Sequence, residues 1–155
     1  MATEIEHKYL INLERWKNIV PHESVEIQQV YLQTDPEKTI RVRNKGGVGY
    51  ITVKGKKIEA SRPEFEIEIP VADADELIQM FYASLVVKIR HHVIYDNKLW
   101  EVDEFKGLNQ GLWVAEIELK KEDEPYSIPD WAIENVTDDF RYSNSSLSIR
   151  PFSEW

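Results

Sequence analysis

Short segments in which apolar and polar residues alternate recur along most of this chain, and they constrain its fold more than any other feature. Residues i and i+2 of a β-strand lie on the same face, so the alternation predicts strands with one apolar and one polar face. About eight strands are expected, in residues 4–9, 25–32, 40–43, 50–54, 65–69, 87–90 with 93–95, 99–103 and 114–119.

Turn and helix signals separate these segments. The glycine-rich residues 46–49 and the pair Asp96 and Asn97 predict tight hairpin turns. Hairpins with a few inserted helices are typical of an α+β, antiparallel, barrel-like fold. Four short helices are expected: one capped by Asn12, one opening at Asp73, one starting at Pro129 and one capped by Asn144.

Composition narrows the class of protein. The chain has 155 residues, which fits one domain spanning residues 1–155. Its 28 acidic residues and 19 lysines and arginines give a net charge of −9, which disfavours binding to nucleic acid or to an anionic membrane. The chain has no cysteine, which excludes disulfides and cysteine-ligated metals. We recognise neither a signal peptide nor a membrane-spanning segment, so a cytoplasmic location is expected.

The polar faces of the predicted strands carry pairs of like charge at positions i and i+2. Like charges on one strand face repel each other and give no local stability. They are therefore expected to meet opposite charges on neighbouring strands or on a bound ligand, unless they form a solvent-exposed charged face. Five strands carry such pairs: Glu4 and Glu6, Arg41 and Arg43, Glu64 and Glu66, Lys88 and Arg90, Glu116 and Glu118.

In a closed barrel, alternate residues of every strand point into the interior. The charged faces would then line a tunnel, and the apolar faces would lie outside, under the helices. Arginine and lysine suit a polyphosphate, and paired carboxylates suit Mg²⁺ or Mn²⁺. A site that holds both kinds of group favours a metal–polyphosphate ligand. His91 and His92 are expected to be structural, because neighbouring residues of a strand point to opposite faces.

The N-terminal sequence Glu4-Ile5-Glu6-His7-Lys8 resembles the Glu-x-Glu-x-Lys signature of the CYTH superfamily, the triphosphate tunnel metalloenzymes. The tail, residues 136–144, resembles the C-terminal signature of small bacterial members. The resemblance covers essentially the whole chain, and it implies an eight-stranded antiparallel barrel, a central tunnel and metal-dependent chemistry on triphosphates. The other matching segments are Tyr31 and residues 41–43, 52–54, 64–66, 88–90, 103 and 116–118.

Carried over residue by residue, the resemblance assigns roles to the charged residues. Phosphate oxygens would be bound by Lys8, Arg41, Arg43, Lys54, Lys88 and Arg90, with Arg141 near a tunnel mouth. The metal would be ligated or supported by Glu4, Glu6, Asp103, Glu116 and Glu118, and the cations would be oriented by Glu64 and Glu66. Lys54, expected among other cations, would position or deprotonate the attacking water. Tyr31 would lie beside Lys54 or be an ordinary strand tyrosine.

Three functions are compatible with these residues. The leading hypothesis is a divalent-metal-dependent hydrolase that removes the terminal phosphate of inorganic tripolyphosphate or of another triphosphate. The second is an adenylyl cyclase of class IV, which the same superfamily contains, although no residue here clearly supplies an adenine pocket. The third is a protein that binds triphosphate or polyphosphate without catalysis. The resemblance also implies a possible homodimer.

Overall fold

A closed antiparallel barrel forms the body of the protein in the computed structural model, which describes residues 1–155. Eight strands follow one another around the barrel in the order β5-β4-β3-β2-β6-β7-β8-β1, and pairing of β1 with β5 closes it. The strands are β1 (Ala2–Ile11), β2 (Glu23–Gln33), β3 (Lys38–Lys45), β4 (Val48–Gly55), β5 (Ser61–Ile69), β6 (Val86–Tyr95), β7 (Lys98–Phe105) and β8 (Trp113–Glu118). The predicted α+β barrel is therefore confirmed.

Both predicted hairpin turns are present. Gly46 and Gly47 connect β3 to β4 with φ values of 58° and 89°, and Asp96 and Asn97 connect β6 to β7 with φ values of 48° and 62°. Two consecutive residues with positive φ match the twist of a two-residue hairpin, and glycine, asparagine and aspartate tolerate that conformation best.

Three α-helices accompany the barrel: α1 (Leu13–Trp16), α2 (Val71–Met80) and α3 (Asn144–Ile149). The cap of α1 is as predicted, because the Asn12 side chain accepts a hydrogen bond from the backbone N–H of Arg15 at 3.1 Å. The predicted start of α2 at Asp73 is wrong. The helix begins at Val71, and the backbone N–H of Asp73 already donates to the carbonyl of Pro70. None of the helices is long and apolar enough to span a membrane.

The predicted helix at Pro129 is wrong, and a ninth strand lies there instead. This strand, β9 (Ala132–Asn135), pairs with the last residues of β1, next to the stretch of β1 that pairs with β5. The available edge of β1 satisfies the backbone groups of β9, so sheet pairing prevails over the local signal for a helix start. The carbonyl of Trp131 also accepts a hydrogen bond from the backbone N–H of Asn12 at 2.8 Å.

The apolar core lies mostly outside the barrel. Val30 and Val42 on the outer faces of β2 and β3 pack under Ala74 and Ile78 of α2. This arrangement matches the prediction that apolar strand faces lie under helices, although Ile67 of β5 stays 44% exposed. A larger cluster covers the opposite side of the barrel and includes Tyr9, Trp16, Trp100, Ala115, Ile117 and Trp131.

A third apolar cluster packs at one end of the barrel interior. Val86, Phe105 and Val114 each lie two residues from a charged residue of the interior, on the same strand face, and Leu147 of α3 packs against them. The charged barrel interior that the sequence pattern predicts is present, and this cluster forms an apolar plug over part of one end. The plug is possible because α3 follows the last strand and folds back against the barrel end.

Candidate active site in the barrel interior

The inward faces of the strands enclose a cavity of about 240 Å³. Of its 21 lining residues, one is hydrophobic. Residues from each of the eight barrel strands reach the cavity, because each strand contributes alternate side chains to the interior. Most of the predicted site residues line it: Glu4, Glu6, Lys8, Tyr31, Arg41, Arg43, Lys54, Glu64, Glu66, Lys88, Arg90, Glu116 and Glu118.

Asp103 is the exception among the predicted metal ligands. Its carboxylate is fully buried and accepts hydrogen bonds from Arg90 Nε at 2.7 Å, Arg90 Nη2 at 2.8 Å and Lys88 Nζ at 2.7 Å. Burial would raise the pKa of Asp103, but Arg90 and Lys88 hold it below its usual value. Both carboxylate oxygens are engaged by cations, which favours the supporting role over direct metal ligation, and the role of Asp103 at the metal site stays a prediction. Asp103 positions Arg90 and Lys88.

Glu116 continues this network toward the open cavity. One of its oxygens lies 3.1 Å from Arg90 Nη2, and the other lies 3.4 Å from Lys8 Nζ. Burial would raise the pKa of Glu116, but Lys8 and Arg90 outweigh burial and hold it far below its usual range. Glu116 is thus ionised and shared between two cations.

One wall of the cavity carries an excess of positive charge. Arg41 and Arg43 both point to Glu66, whose Oε2 lies 3.7 Å and 3.3 Å from their Nη2 atoms and also accepts a hydrogen bond from Thr52. The Nε atoms of both arginines are buried and have no hydrogen-bond partner. Burial, together with Arg41 and Arg90, lowers the pKa of Arg43 to about 10. A single carboxylate therefore faces two arginines with unused donors, which suits an anionic ligand.

Another wall carries an excess of negative charge. Burial, together with Glu116 and Glu4, raises the pKa of Glu6 to about 7. The pKa of Glu118 is also raised by burial, and Glu4, Glu101 and Glu6 add to this effect. Carboxylates that raise one another's pKa lack sufficient positive charge nearby, which suits a bound cation.

Lys54 and Tyr31 occupy different surroundings from those expected. The Lys54 ammonium lies 2.5 Å from Glu4 Oε2 and 3.5 Å from Glu64 Oε2, so its nearest charged neighbours are carboxylates and the expectation of surrounding cations is wrong. Tyr31 on β2 is opposite Arg41 on β3, whereas Lys54 lies one strand further, on β4. The register therefore does not place Tyr31 beside Lys54. Its hydroxyl accepts a hydrogen bond from Gln29 Nε2 at 3.1 Å.

Arg141, expected near a tunnel mouth, lies on the outer surface. Its side chain is 62% exposed and pairs with Asp139 at 2.7 Å, and its guanidinium lies over the Trp155 ring at 5.0 Å. The short 3₁₀ turn Phe140–Tyr142 carries Arg141, and its neighbours Asp139 and Phe140 line a pocket that shares Glu4, Glu6 and Lys8 with the cavity. The position of Arg141 near a tunnel mouth stays a prediction.

The structure adds cavity residues that the sequence analysis missed. Five of them lie two positions from a predicted residue on the same strand: Thr39, Lys45, Thr52, Arg62 and Glu101. Extending the i and i+2 rule beyond pairs of like charge would have found them.

The contact of α3 with the cavity cannot be predicted from strand alternation. Asn144 Oδ1 accepts hydrogen bonds from Lys88 Nζ at 3.0 Å and from Gln29 Nε2 at 3.3 Å, which ties the helix to the plugged end of the cavity. The predicted cap of this helix is wrong by one residue. Ser143 is the cap, because its Oγ accepts a hydrogen bond from the backbone N–H of Ser146.

The fold and the interior together define a class of protein: closed antiparallel barrels that keep a densely charged ligand site inside the barrel. Within this class, the CYTH domain model matches residues 2–150, and the chain belongs to the CYTH family. The resemblance carried by the sequence motifs is thereby confirmed.

Relatives and solved structures agree with this assignment. An inorganic triphosphatase of Acetivibrio thermocellus is 39% identical over 156 residues, which cover 100% of this chain and 99% of the relative. An inorganic triphosphatase of Nitrosomonas europaea is 32% identical over 95% of this chain and 97% of the relative. A crystal structure of an inorganic triphosphatase superposes with a TM-score of 0.66, at 32% identity and with 96% of each chain covered.

Proposed function

We propose that this protein is a metal-dependent triphosphatase that hydrolyses the terminal phosphate of inorganic tripolyphosphate or of another triphosphate inside the barrel. The observation that carries the proposal is the division of one cavity into a cation-rich wall around Arg41 and Arg43 and a carboxylate-rich wall around Glu6 and Glu118. A metal-bound polyphosphate carries anionic phosphates that complement the cation-rich wall and a metal ion that complements the carboxylate-rich wall. Two full-length relatives named inorganic triphosphatase support the same activity.

The cations would bind phosphate oxygens. Arg41 and Arg43 offer unused Nε donors, and guanidinium groups match phosphate geometry. Lys8 and Lys54 are held by carboxylates at the cavity surface, so phosphate oxygens would compete with those carboxylates for the ammonium groups. Lys88 and Arg90 are anchored by Asp103 and would contribute positive charge toward the plugged end.

A divalent metal fits the opposite wall. Glu4, Glu6 and Glu118 supply the hard oxygen donors that Mg²⁺ and Mn²⁺ prefer, and burial and mutual repulsion raise the pKa values of Glu6 and Glu118, which a bound metal would offset. A bound metal would neutralise phosphate charge and lower the pKa of a coordinated water. Glu64 and Glu66 would orient Lys54 and the two arginines.

Positioning and charge stabilisation account for most of the catalysis that phosphoryl transfer needs. Lys54 would hold the attacking water or a phosphate oxygen, and the carboxylates of Glu4 and Glu64 would fix its ammonium group in the cavity. Tyr31, opposite Arg41 on the neighbouring strand, would contact the substrate through its hydroxyl. The preference between Mg²⁺ and Mn²⁺, the homodimer and the cytoplasmic location stay predictions.

The test is phosphate release from tripolyphosphate, with Mg²⁺, with Mn²⁺ and with a chelator. We expect release with at least one metal and none with the chelator. Lys54→Ala and Glu6→Gln should lose most of the activity, whereas Lys121→Ala, at an exposed lysine remote from the cavity, should retain it. Inactivity on every triphosphate with both metals would refute the proposal. Cyclic AMP formation from ATP at a comparable rate would favour a cyclase, and tight binding without turnover would favour a non-catalytic protein.

A further inference from the structure

A second group of potential metal ligands lies outside the proposed triphosphate site. The ligand atoms of His22, Glu23 and His92 all lie within 4.8 Å of one another. Glu23 opens β2 and is the register partner of His92 on β6, and the backbone N–H of His22 donates to the carbonyl of His92 at 3.0 Å. The pairing of β2 with β6 thus holds the backbones of His22, Glu23 and His92 next to one another.

These three residues lie at the open end of the cavity. His92 follows Lys88 and Arg90 at alternate positions of β6, on the strand face that looks into the barrel. The apolar plug that contains Val86 lies at the opposite end of the same strand. His92 therefore lies at the mouth, beyond the last cation of the proposed phosphate site.

We propose that His22, Glu23 and His92 bind a borderline transition-metal ion such as Zn²⁺ at the mouth of the barrel. Two imidazoles and one carboxylate are donors that this type of ion prefers over the oxygen-only sets of Mg²⁺. Three protein ligands leave a coordination position for water or for a phosphate oxygen that projects from the cavity.

The surroundings of His92 support this assignment independently. Its Nδ1 lies 3.2 Å from Glu23 Oε2, on the side of the proposed metal, and its Nε2 lies 3.4 Å from Glu101 Oε2. The Nε2 atom is buried and has no hydrogen-bond partner within bonding geometry. Histidines that bind a metal through one ring nitrogen usually direct the other N–H to a carboxylate, which fixes the ring and its tautomer.

Glu101 connects the proposed metal site to the cavity. The same Oε2 atom that faces His92 accepts a hydrogen bond from Arg90 Nη1 at 3.0 Å. A metal on His92 Nδ1 keeps the proton on Nε2, so that the ring donates toward Glu101 and shares this carboxylate with Arg90. A metal bound by His92 would in this way affect the hydrogen bonding of Arg90, a cation of the proposed triphosphate site.

The test is nuclear magnetic resonance of the histidine rings during a Zn²⁺ titration in excess Mg²⁺, which keeps the tunnel carboxylates occupied. The chain has four histidines, so His7 and His91 serve as internal controls. We expect the His22 and His92 signals to shift with one common affinity, with His92 bound through Nδ1. Loss of a ligand in His22→Asn or Glu23→Gln should weaken that affinity about tenfold or more, and Glu14→Gln, at another exposed glutamate, should leave it unchanged.

Three results would overturn the proposal: no shift in His22 and His92, equal shifts in all four rings, or an affinity at His92 that His22→Asn leaves unchanged. The readout does not depend on catalysis, so a failure here is separate from a failure of the triphosphatase proposal.

Discussion

Glu6 and Glu118 are direct cross-strand neighbours in the pairing of β1 with β8, so two carboxylates face each other on one wall of the cavity. Two register positions further along each strand, Lys8 faces Glu116, and that pair is an ion pair. Like charges directly opposite each other destabilise a sheet, whereas opposite charges stabilise it. The same strand pair thus contains one stabilising and one destabilising contact, and the latter is where we place the metal.

The first prediction concerns the pH dependence of stability. The folded pKa of Glu6, about 7, lies above the ordinary value of 4.5, so the folded protein holds a proton that the unfolded chain has already released. Without metal, this group therefore reduces stability as the pH rises from 4.5 to about 7. Glu6→Gln should remove that decline, making the metal-free variant more stable than the parent at about pH 8 by on the order of 1–3 kcal/mol.

Urea unfolding of both proteins at about pH 5 and about pH 8, in a chelator, measures this difference. Each protein is compared with itself across pH, which cancels contributions that Glu6→Gln does not alter. Equal pH dependence in the two proteins would contradict the assigned surroundings of Glu6.

The second prediction concerns metal affinity. Glu118→Gln removes a carboxylate from the proposed metal wall, and Mg²⁺ or Mn²⁺ should then bind about tenfold or more weakly in calorimetry, because hard cations depend on anionic oxygen ligands. Glu134→Gln, on an exposed position of β9, changes the net charge equally and should leave the affinity unaltered. A similar loss in both variants would mean that the metal responds only to net charge.

The third prediction concerns the anchor of the buried cations. Asp103→Asn leaves Lys88 and Arg90 in the interior without their shared carboxylate. Removing one partner of a buried ion pair costs about 3–5 kcal/mol, and we expect a loss of that size in the free energy of unfolding. Asp123→Asn, at an aspartate whose side chain is 85% exposed, should change it little. A loss in Asp103→Asn as small as that of the exposed control would show that the network does not depend on this residue.

The fourth prediction concerns substrate recognition. Arg43→Ala removes a cavity-lining guanidinium whose buried Nε donor has no hydrogen-bond partner. Hydrogen bonds to charged groups contribute about 1.5–3 kcal/mol, so kcat/KM for tripolyphosphate should fall on the order of 10- to 100-fold. Arg150→Ala, on the exposed end of α3, is the matched control and should keep its kcat/KM. If Arg43→Ala behaves like this control, Arg43 does not contact the substrate.

Alternation in the sequence was sufficient to predict the eight barrel strands and most of the charged residues that share the interior, and the turn residues predicted the two hairpins. It was not sufficient to predict register. Arg90 lies opposite Asp103 because β6 and β7 pair in one particular alignment, and this alignment makes Asp103, predicted to ligate or support the metal, a buried anchor for Arg90. Alternation predicts the strand face on which a residue lies but not its partner on the next strand. The same pattern is therefore compatible with a metal-site carboxylate and with a buried anchor.

Segments without alternation were predicted least well. Residues 132–135 become a strand because an edge of β1 is available to them, and that edge exists only in the folded barrel. Asparagine is a common helix cap, yet the Asn144 side chain accepts hydrogen bonds from Lys88 and Gln29, and Ser143 caps the helix. Long-range contacts decide both cases, so local signals are a poor guide to them.

The plug formed by Leu147 with Val86, Phe105 and Val114 occupies only part of one barrel end, because a neighbouring pocket lined by Pro36, Lys57 and Asp138 shares Glu4, Glu6 and Lys8 with the cavity. The interior is therefore not sealed at the end where the plug packs.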